Sequence, residues 1–221
     1  MSQTNHKFYQ EYSKLLVSVD CVIFGFSGKH LKLLVHRRPY EPSQGELSLI
    51  GGFVNINESI DDAAKRVLAD YTGIDKVYMR QLGAFGEVNR DIGERVVSIA
   101  FYALIDVRKY DKSKAKHNAE WIDLDNLPAL CLDHNQMVEM AIQKIRARIY
   151  IEPIGINLLP THFTLTQLQM VYEAVLGTPL DKRNFRRTII DKDFLIKTGK
   201  IDKITSRRGA ALYELKQTRQ S

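Results

Sequence analysis

Cysteine is nearly missing from this chain. Two thiols, Cys21 and Cys131, in 221 residues exclude the disulfide framework that staples small secreted domains. Cys21 falls in an apolar, strand-like run and reads as a small buried residue. Long apolar runs are also missing: nothing approaches the roughly 18 residues that a membrane helix needs. The opening M-S-Q-T-N-H-K-F-Y-Q-E-Y is polar and has no signal-peptide core. A reducing, cytoplasmic setting without membrane contact is the expectation. Apolar residues at 44% and charged residues at 26% are ordinary for a globular protein. The length suits one large or two modest domains of roughly 100–200 residues.

Charge is present, but unevenly. Of the net +6, residues 1–150 carry 20 basic and 19 acidic side chains, and residues 151–221 carry 12 and 7. A near-neutral body with a basic C-terminal third points to a polyanionic partner for that third.

The order of elements begins with β-structure. Residues 15–26, L-L-V-S-V-D-C-V-I-F-G-F, read as a strand, and Leu31–His36 is its return partner across the Ser27-Gly28-Lys29 turn. Asp20 interrupts the first strand with a carboxylate that faces either water or a pocket. Residues 77–88 and Arg95–Asp106 read as further strands. Asp133-His134 starts a helix through about Tyr150 with Met137, Met140, Ala141 and Ile145 on its apolar face. His134 reads as a cap or packing residue, since no partner lies at metal-ligand spacing.

The most informative stretch is Gly51–Ile74, G-G-F-V-N-I-N-E-S-I-D-D-A-A-K-R-V-L-A-D-Y-T-G-I. Ile60, Ala63, Ala64, Val67, Leu68 and Tyr71 mark one face of a helix. Asn57 is the expected N-cap, and Gly73 the C-terminal stop. Strand, glycine loop and helix in this layout resemble the Nudix box. Gly52, Glu58, Arg66, Leu68, Gly73 and Ile74 stand at its fixed positions. Val67 replaces the glutamate after the arginine, and Asp70-Tyr71 replaces the glutamate pair. In that family the glutamates hold divalent metal for diphosphate cleavage. Hard cations want oxygen ligands, usually carboxylates, and Val67 and Tyr71 cannot hold one. The resemblance therefore implies a Nudix fold without hydrolase activity, without a metal and without another cofactor, in which Glu58 and Arg66 brace the loop. Arg90-Asp91 and A-E-W-I-D-L-D-N-L-P are further Nudix-like segments.

Residues 151–162, with Pro153, Gly155 and Pro160, have linker character. Beyond them T-L-T-Q is a capping box between Thr164 and Gln167, with Phe163 and Leu168 as a hydrophobic staple. Leu168, Val171, Tyr172 and Val175 face inward, and Gly177 ends the helix. Asp181 caps a second helix, D-K-R-N-F-R-R-T-I-I. Phe185 and Ile189 point inward, leaving Lys182, Arg183, Asn184, Arg186 and Arg187 largely outward. Phe194–Thr198 and Ala210–Leu215 form a hairpin around Lys200, Lys203, Arg207 and Arg208. This is the layout of a winged helix-turn-helix. A helix fits the major groove, where arginine reads guanine and asparagine reads adenine. Basic wing residues meet phosphates, and Thr164, Thr166 and Gln167 can present free N–H groups to another phosphate.

The expected architecture is α+β: a Nudix-type α/β/α sandwich with a mixed sheet over residues 1–152, then a winged helix-turn-helix over 153–221. The combination resembles the Nudix-related transcriptional regulators of bacteria. That resemblance implies a homodimer on a palindromic double-stranded operator, repressing until a small molecule enters the Nudix domain. It is closest to the L-arabinose-responsive branch of Bacteroidetes, with an ADP-ribose-sensing regulator of NAD metabolism as the alternative. A Nudix pyrophosphohydrolase with an appended nucleic-acid-binding unit, and a protein-interaction module, are the competing readings. Candidate effector residues are Asp20, His36, Arg37, Ser48, Glu87, Asn89 and Arg95.

Overall fold

The computed structural model describes residues 11–74, 77–110, 113, 116–204 and 208–216. A six-stranded sheet forms first along the chain. Its strands are β1 (Leu16–Ser27), β2 (His30–Arg37), β3 (Leu47–Phe53), β4 (Arg80–Phe85), β5 (Val96–Asp106) and β6 (Glu120–Asp123). They lie in the order β4-β5-β1-β3-β2-β6. β1 and β5 run parallel over eleven paired positions, and the other neighbours are antiparallel, so the sheet is mixed as expected. The strand expected at 77–88 is shorter, holding only Arg80–Phe85.

Both faces of the sheet are covered, and β1 shows why its sequence is so continuously apolar. Val19, Cys21 and Ile23 point to one face, where they pack with Ala63, Ala64, Val67 and Leu68 of α1 (Ile60–Thr72). Val22 and Phe24, one residue out of step, point to the other face and join Met137, Ala141 and Ile145 of α2 (His134–Arg148). A two-residue period on a strand buried on both sides leaves no polar face. The result is the α/β/α sandwich. The N-cap of α1 is Ser59 rather than Asn57: the Asp62 N–H donates to Ser59 Oγ at 3.1 Å. Gly73, at φ +69°, ends the helix in the left-handed region. None of the described helices is long and apolar enough to cross a membrane.

The segment expected as a linker is packed. Its residues Ile154–Leu158 form a 3-10 turn, with Ile156 and Leu158 buried in the same apolar cluster as α2. A short strand β7 (Phe163–Thr164) leads into α3 (Leu165–Leu176) and α4 (Lys182–Asp191). A hairpin of β8 (Leu195–Asp202) and β9 (Ala210–Leu215) follows. β8 runs four residues beyond its expected end, with an irregularity around Gly199, whose φ is +78°. Lys200 therefore sits in the strand rather than in the loop; Arg207 lies outside the described residues.

The expected caps of this unit are all formed. Thr164 Oγ1 accepts from Gln167 N, and Gln167 Oε1 accepts from Thr164 N at 2.8 Å. Phe163 and Leu168 are buried around this cap. Asp181 Oδ1 accepts from Asn184 N. The α3–α4 turn is tied by Glu173, whose carboxylate accepts from Leu180 N at 2.9 Å, and by Gln169, which donates to the Leu180 carbonyl. Tyr172 is the keystone of the interface with the body. Its ring meets Tyr150 and Phe185 edge-on, and its hydroxyl donates to the Ile149 carbonyl at 2.7 Å. Tyr172→Ala removes a large buried ring and leaves a cavity, so a loss of about 3–5 kcal/mol is expected in urea unfolding. An unchanged midpoint would show that α3 does not depend on this contact.

Candidate functional sites: a plugged Nudix cleft and a basic helix face

The position where three carboxylates would hold metal is filled by other contacts. Val67 is buried against Gly52, where an added Cβ would stand 3.1 Å from its Cγ2. Asp70 is engaged by Lys116 Nζ at 2.7 Å. Tyr71 is buried, with its ring 4.8 Å from that of His36 on one side and 4.8 Å from that of His117 on the other. Lys116 and His117 are anchored there by their backbone N–H groups, which both donate to the Asp70 carbonyl. Among the described residues no three His, Cys, Asp or Glu side chains converge to hold a metal ion. The residues present do not fit the catalytic metals of a Nudix box.

The retained box residues do brace the loop. Arg66 reaches Glu58 through Nε at 2.9 Å and Nη2 at 2.6 Å, and donates to the Phe53 carbonyl. The Glu58 carboxyl, held by Arg66 and the Asn55 N–H, is lowered to a pKa of about 2.

Beside this loop lies a cavity of about 110 Å³. Asp20, His36 and Ser48 line it, as expected, together with Arg38, Tyr40, Arg90 and His134. Asp20 lies flat over Gly51, where any Cβ would come within 2.3 Å of its Oδ1; glycine is required there by close approach. Ser98 Oγ donates to Asp20 Oδ2 at 2.6 Å, and Arg90 Nη2 stands 3.4 Å from it. Arg90, buried, makes a two-pronged contact with Asp133 at 2.9 and 2.7 Å. His134 Nδ1 accepts from the Leu49 N–H, which places the ring proton on Nε2, 3.6 Å from Asp20 Oδ1. Burial holds the His134 pKa below its ordinary value. Burial, then the Arg38 charge, lowers that of His36 to about 4. Both rings are therefore neutral near pH 7.

Four expected effector residues do not line this cavity. Arg37 follows His36 on a strand and so points the opposite way; it is exposed, near Glu120 and the Gly45 carbonyl. Glu87 and Asn89 are exposed on the loop that sends Arg90 inward. Arg95 staples that loop by donating to the carbonyls of Gly86, Glu87 and Val96. The residues missed by sequence reasoning, Arg38, Tyr40, Arg90 and His134, come from a loop, a turn and a distant helix. The Arg90-Asp91 pair and the cap position of Asp133-His134 were the available signals.

At the opposite end of the molecule, α4 buries Phe185 and Ile189 and exposes Arg183, Asn184 and Arg187. Lys182 is exposed at its first turn, beside the start of α3 with Thr164, Thr166 and Gln167. Arg186 is half-buried, with Nη2 3.4 Å from Thr166 Oγ1. The hairpin presents Lys200, Lys203 and Arg208, all exposed.

Two family descriptions match the chain: the NUDIX domain over residues 14–141, and the NrtR DNA-binding winged helix domain over residues 155–215. The "ADPR responsive transcriptional repressor NtrR" of Acinetobacter baylyi is 32% identical over 92% of this chain and 83% of its own length. The crystal structure of Shewanella oneidensis NrtR complexed with a 27mer DNA superposes with a TM-score of 0.80 at 30% identity, covering 90% of this chain and 93% of that one. The NUDIX domain of the same Shewanella protein, solved with ADP ribose, matches 62% of this chain and 92% of its own, at 28% identity and a TM-score of 0.55.

Two outcomes are expected from the cleft. Arg90→Ala strands two carboxylates, one of them deeply buried, and should lower unfolding stability by about 3–5 kcal/mol in chemical denaturation. His36 binds its proton more weakly folded than unfolded, so its contribution to stability is present above pH 6.5 and is lost as pH falls toward 4. The melting temperature should drop over that window, and less steeply in His36→Asn.

Proposed function

Because the chain belongs to the Nudix family and pairs that domain with an NrtR-type winged helix, we propose that it is a ligand-responsive, cytoplasmic transcriptional repressor. In this reading residues 1–152 sense an effector and residues 153–221 bind DNA. A homodimer places two winged helices on a palindromic operator. The observation that carries the proposal is the face of α4. Arg183, Asn184 and Arg187 stand exposed on a helix anchored from behind by Phe185 and Ile189 and flanked by a basic hairpin. Those side chains supply the donors and acceptors that read base edges, and Lys182, Lys200, Lys203, Arg207 and Arg208 supply charge for phosphates.

The effector is placed in the Nudix cleft. ADP-ribose is the first candidate, supported by the Acinetobacter repressor and by the Shewanella NUDIX domain with which this chain aligns. L-arabinose, expected from the sequence, finds no support among these relatives. One observation keeps a sugar of that size as a second reading. The cleft measures about 110 Å³, below the roughly 300–1,000 Å³ of sites that enclose larger ligands. Asp20, His36 and Ser48 offer it neutral and acidic hydrogen-bonding partners. ADP-ribose requires the cleft to open or the nucleotide to extend over its rim. Hydrolysis is not expected, since Asp70 is held by Lys116 and Tyr71 lies between the rings of two histidines.

Binding to duplex DNA should weaken steeply as salt rises. Arg187→Ala should cost about 1–3 kcal/mol on the operator if it reads a base; equal affinity for wild type and variant in fluorescence anisotropy would displace α4 from the reading role. In thermal-shift measurements ADP-ribose should raise the melting temperature, because it binds only the folded state. A rise with L-arabinose and none with ADP-ribose would reverse the order of the two readings. Magnesium-dependent cleavage of ADP-ribose at an enzymatic rate would refute the loss of activity.

A further inference from the structure

A second and larger cavity lies away from the Nudix cleft, between the six-stranded sheet and the winged helix. It measures about 870 Å³, within the roughly 300–1,000 Å³ usual for small-molecule sites. Its walls come from both units. Phe26 at the end of β1 and Leu158 and Leu159 of the connecting segment face Met170 of α3 and Tyr213 of β9. These walls are apolar, but one corner is cationic.

Lys182, Arg186 and Arg108 reach that cavity. Arg108 is committed to Asp106 by two contacts of 2.7 Å, so the pair adds little net charge. Arg186 is different. Its Nε is buried and has no hydrogen-bond partner in the structure, while its Nη2 has only the long contact to Thr166 Oγ1. A buried guanidinium N–H is costly to leave without an acceptor. The first turn of α3 meets the same corner, and the N–H groups of Leu165 and Thr166 have no acceptor within the helix. An anionic group placed there would meet the guanidinium through its outer nitrogens and answer both N–H groups.

Shape and charge together define the occupant. A DNA backbone is polar on every side and would not cover Phe26, Leu159 and Tyr213. A neutral sugar would leave Arg186 unanswered. We propose that this cleft binds a small amphipathic anion. Its carboxylate, sulfonate or phosphate sits at Arg186 and the start of α3, and its ring or chain lies against the apolar wall. The site is separate from the Nudix cleft. Occupancy holds Arg186 and Lys182 inside the cleft, so the ligand competes with duplex DNA. That competition rests on the DNA reading given above; the binding does not.

The probe is 1-anilinonaphthalene-8-sulfonate, titrated into the full chain and followed by fluorescence, with neutral N-phenyl-1-naphthylamine as the uncharged control. One saturable site is expected for the sulfonate, with binding at least about tenfold weaker for the neutral probe and for Arg186→Gln. Ser27→Trp, which narrows the cleft from the exposed β1–β2 turn, should also weaken it while the melting temperature holds. Non-saturable binding, or equal affinity for wild type and both folded variants, overturns the proposal. Displacement of the bound sulfonate by duplex DNA supports the competition. DNA binding without a sulfonate site sinks this inference and leaves the repressor reading standing; a sulfonate site without DNA binding does the reverse.

Discussion

Helix α2 has to satisfy two partners at once. Its apolar side, with Met137, Ala141, Ile142 and Ile145, is buried in a cluster that starts at Val22 and Phe24 of the sheet and continues without a break to Leu168, Tyr172 and Phe185. Its first residue, His134, and its cap, Asp133, stand in the Nudix cleft with Arg90 and Asp20. Its far end holds the winged helix: Arg146 Nε donates to the Val175 carbonyl at 2.7 Å, and the Ile149 carbonyl accepts from Tyr172. At 1.5 Å per residue its fifteen residues span about 22 Å. One rigid element thus touches both places where the chemistry of this chain is concentrated, and a close-packed cluster does not let one end shift freely of the other.

The cleft keeps the loop geometry of a Nudix box while its carboxylate positions make other contacts. Glu58 and Arg66 still hold the loop. Tyr71 turns a ligand position into an aromatic contact, and Asp70, half-buried, pairs with Lys116. What remains is a small polar concavity built on a buried ionic network. Such networks are demanding: two acids, an arginine and a histidine are tolerable together only because each one's hydrogen bonds are met by another.

How much of this was legible depended on whether the determinant was local. The caps and staples at Thr164, Gln167 and Asp181, the stop at Gly73 and the hairpin strand Ala210–Leu215 follow from short-range rules and stand where those rules put them. The N-cap at Ser59 rather than Asn57 is a two-residue shift of the same kind of signal. Of the candidate effector residues, Asp20, His36 and Ser48 line the cleft, since polar residues inside apolar strands stand out. Arg37, Glu87, Asn89 and Arg95 lie outside it, because charge near a cleft does not say which way a side chain points.

The sequence by itself determined the local elements, the loss of carboxylates from the Nudix helix and the concentration of positive charge in the last third, because each is a property of residue type and spacing along one segment. Only the tertiary structure decided that the segment after α2 is packed, that Arg90 bridges Asp20 and Asp133, that Lys116 and His117 close over Asp70 and Tyr71, and that Arg186 turns inward to a cavity between the two units. Those contacts join residues dozens of positions apart, and their energy comes from burial and pairing that exist only once distant segments share the same space.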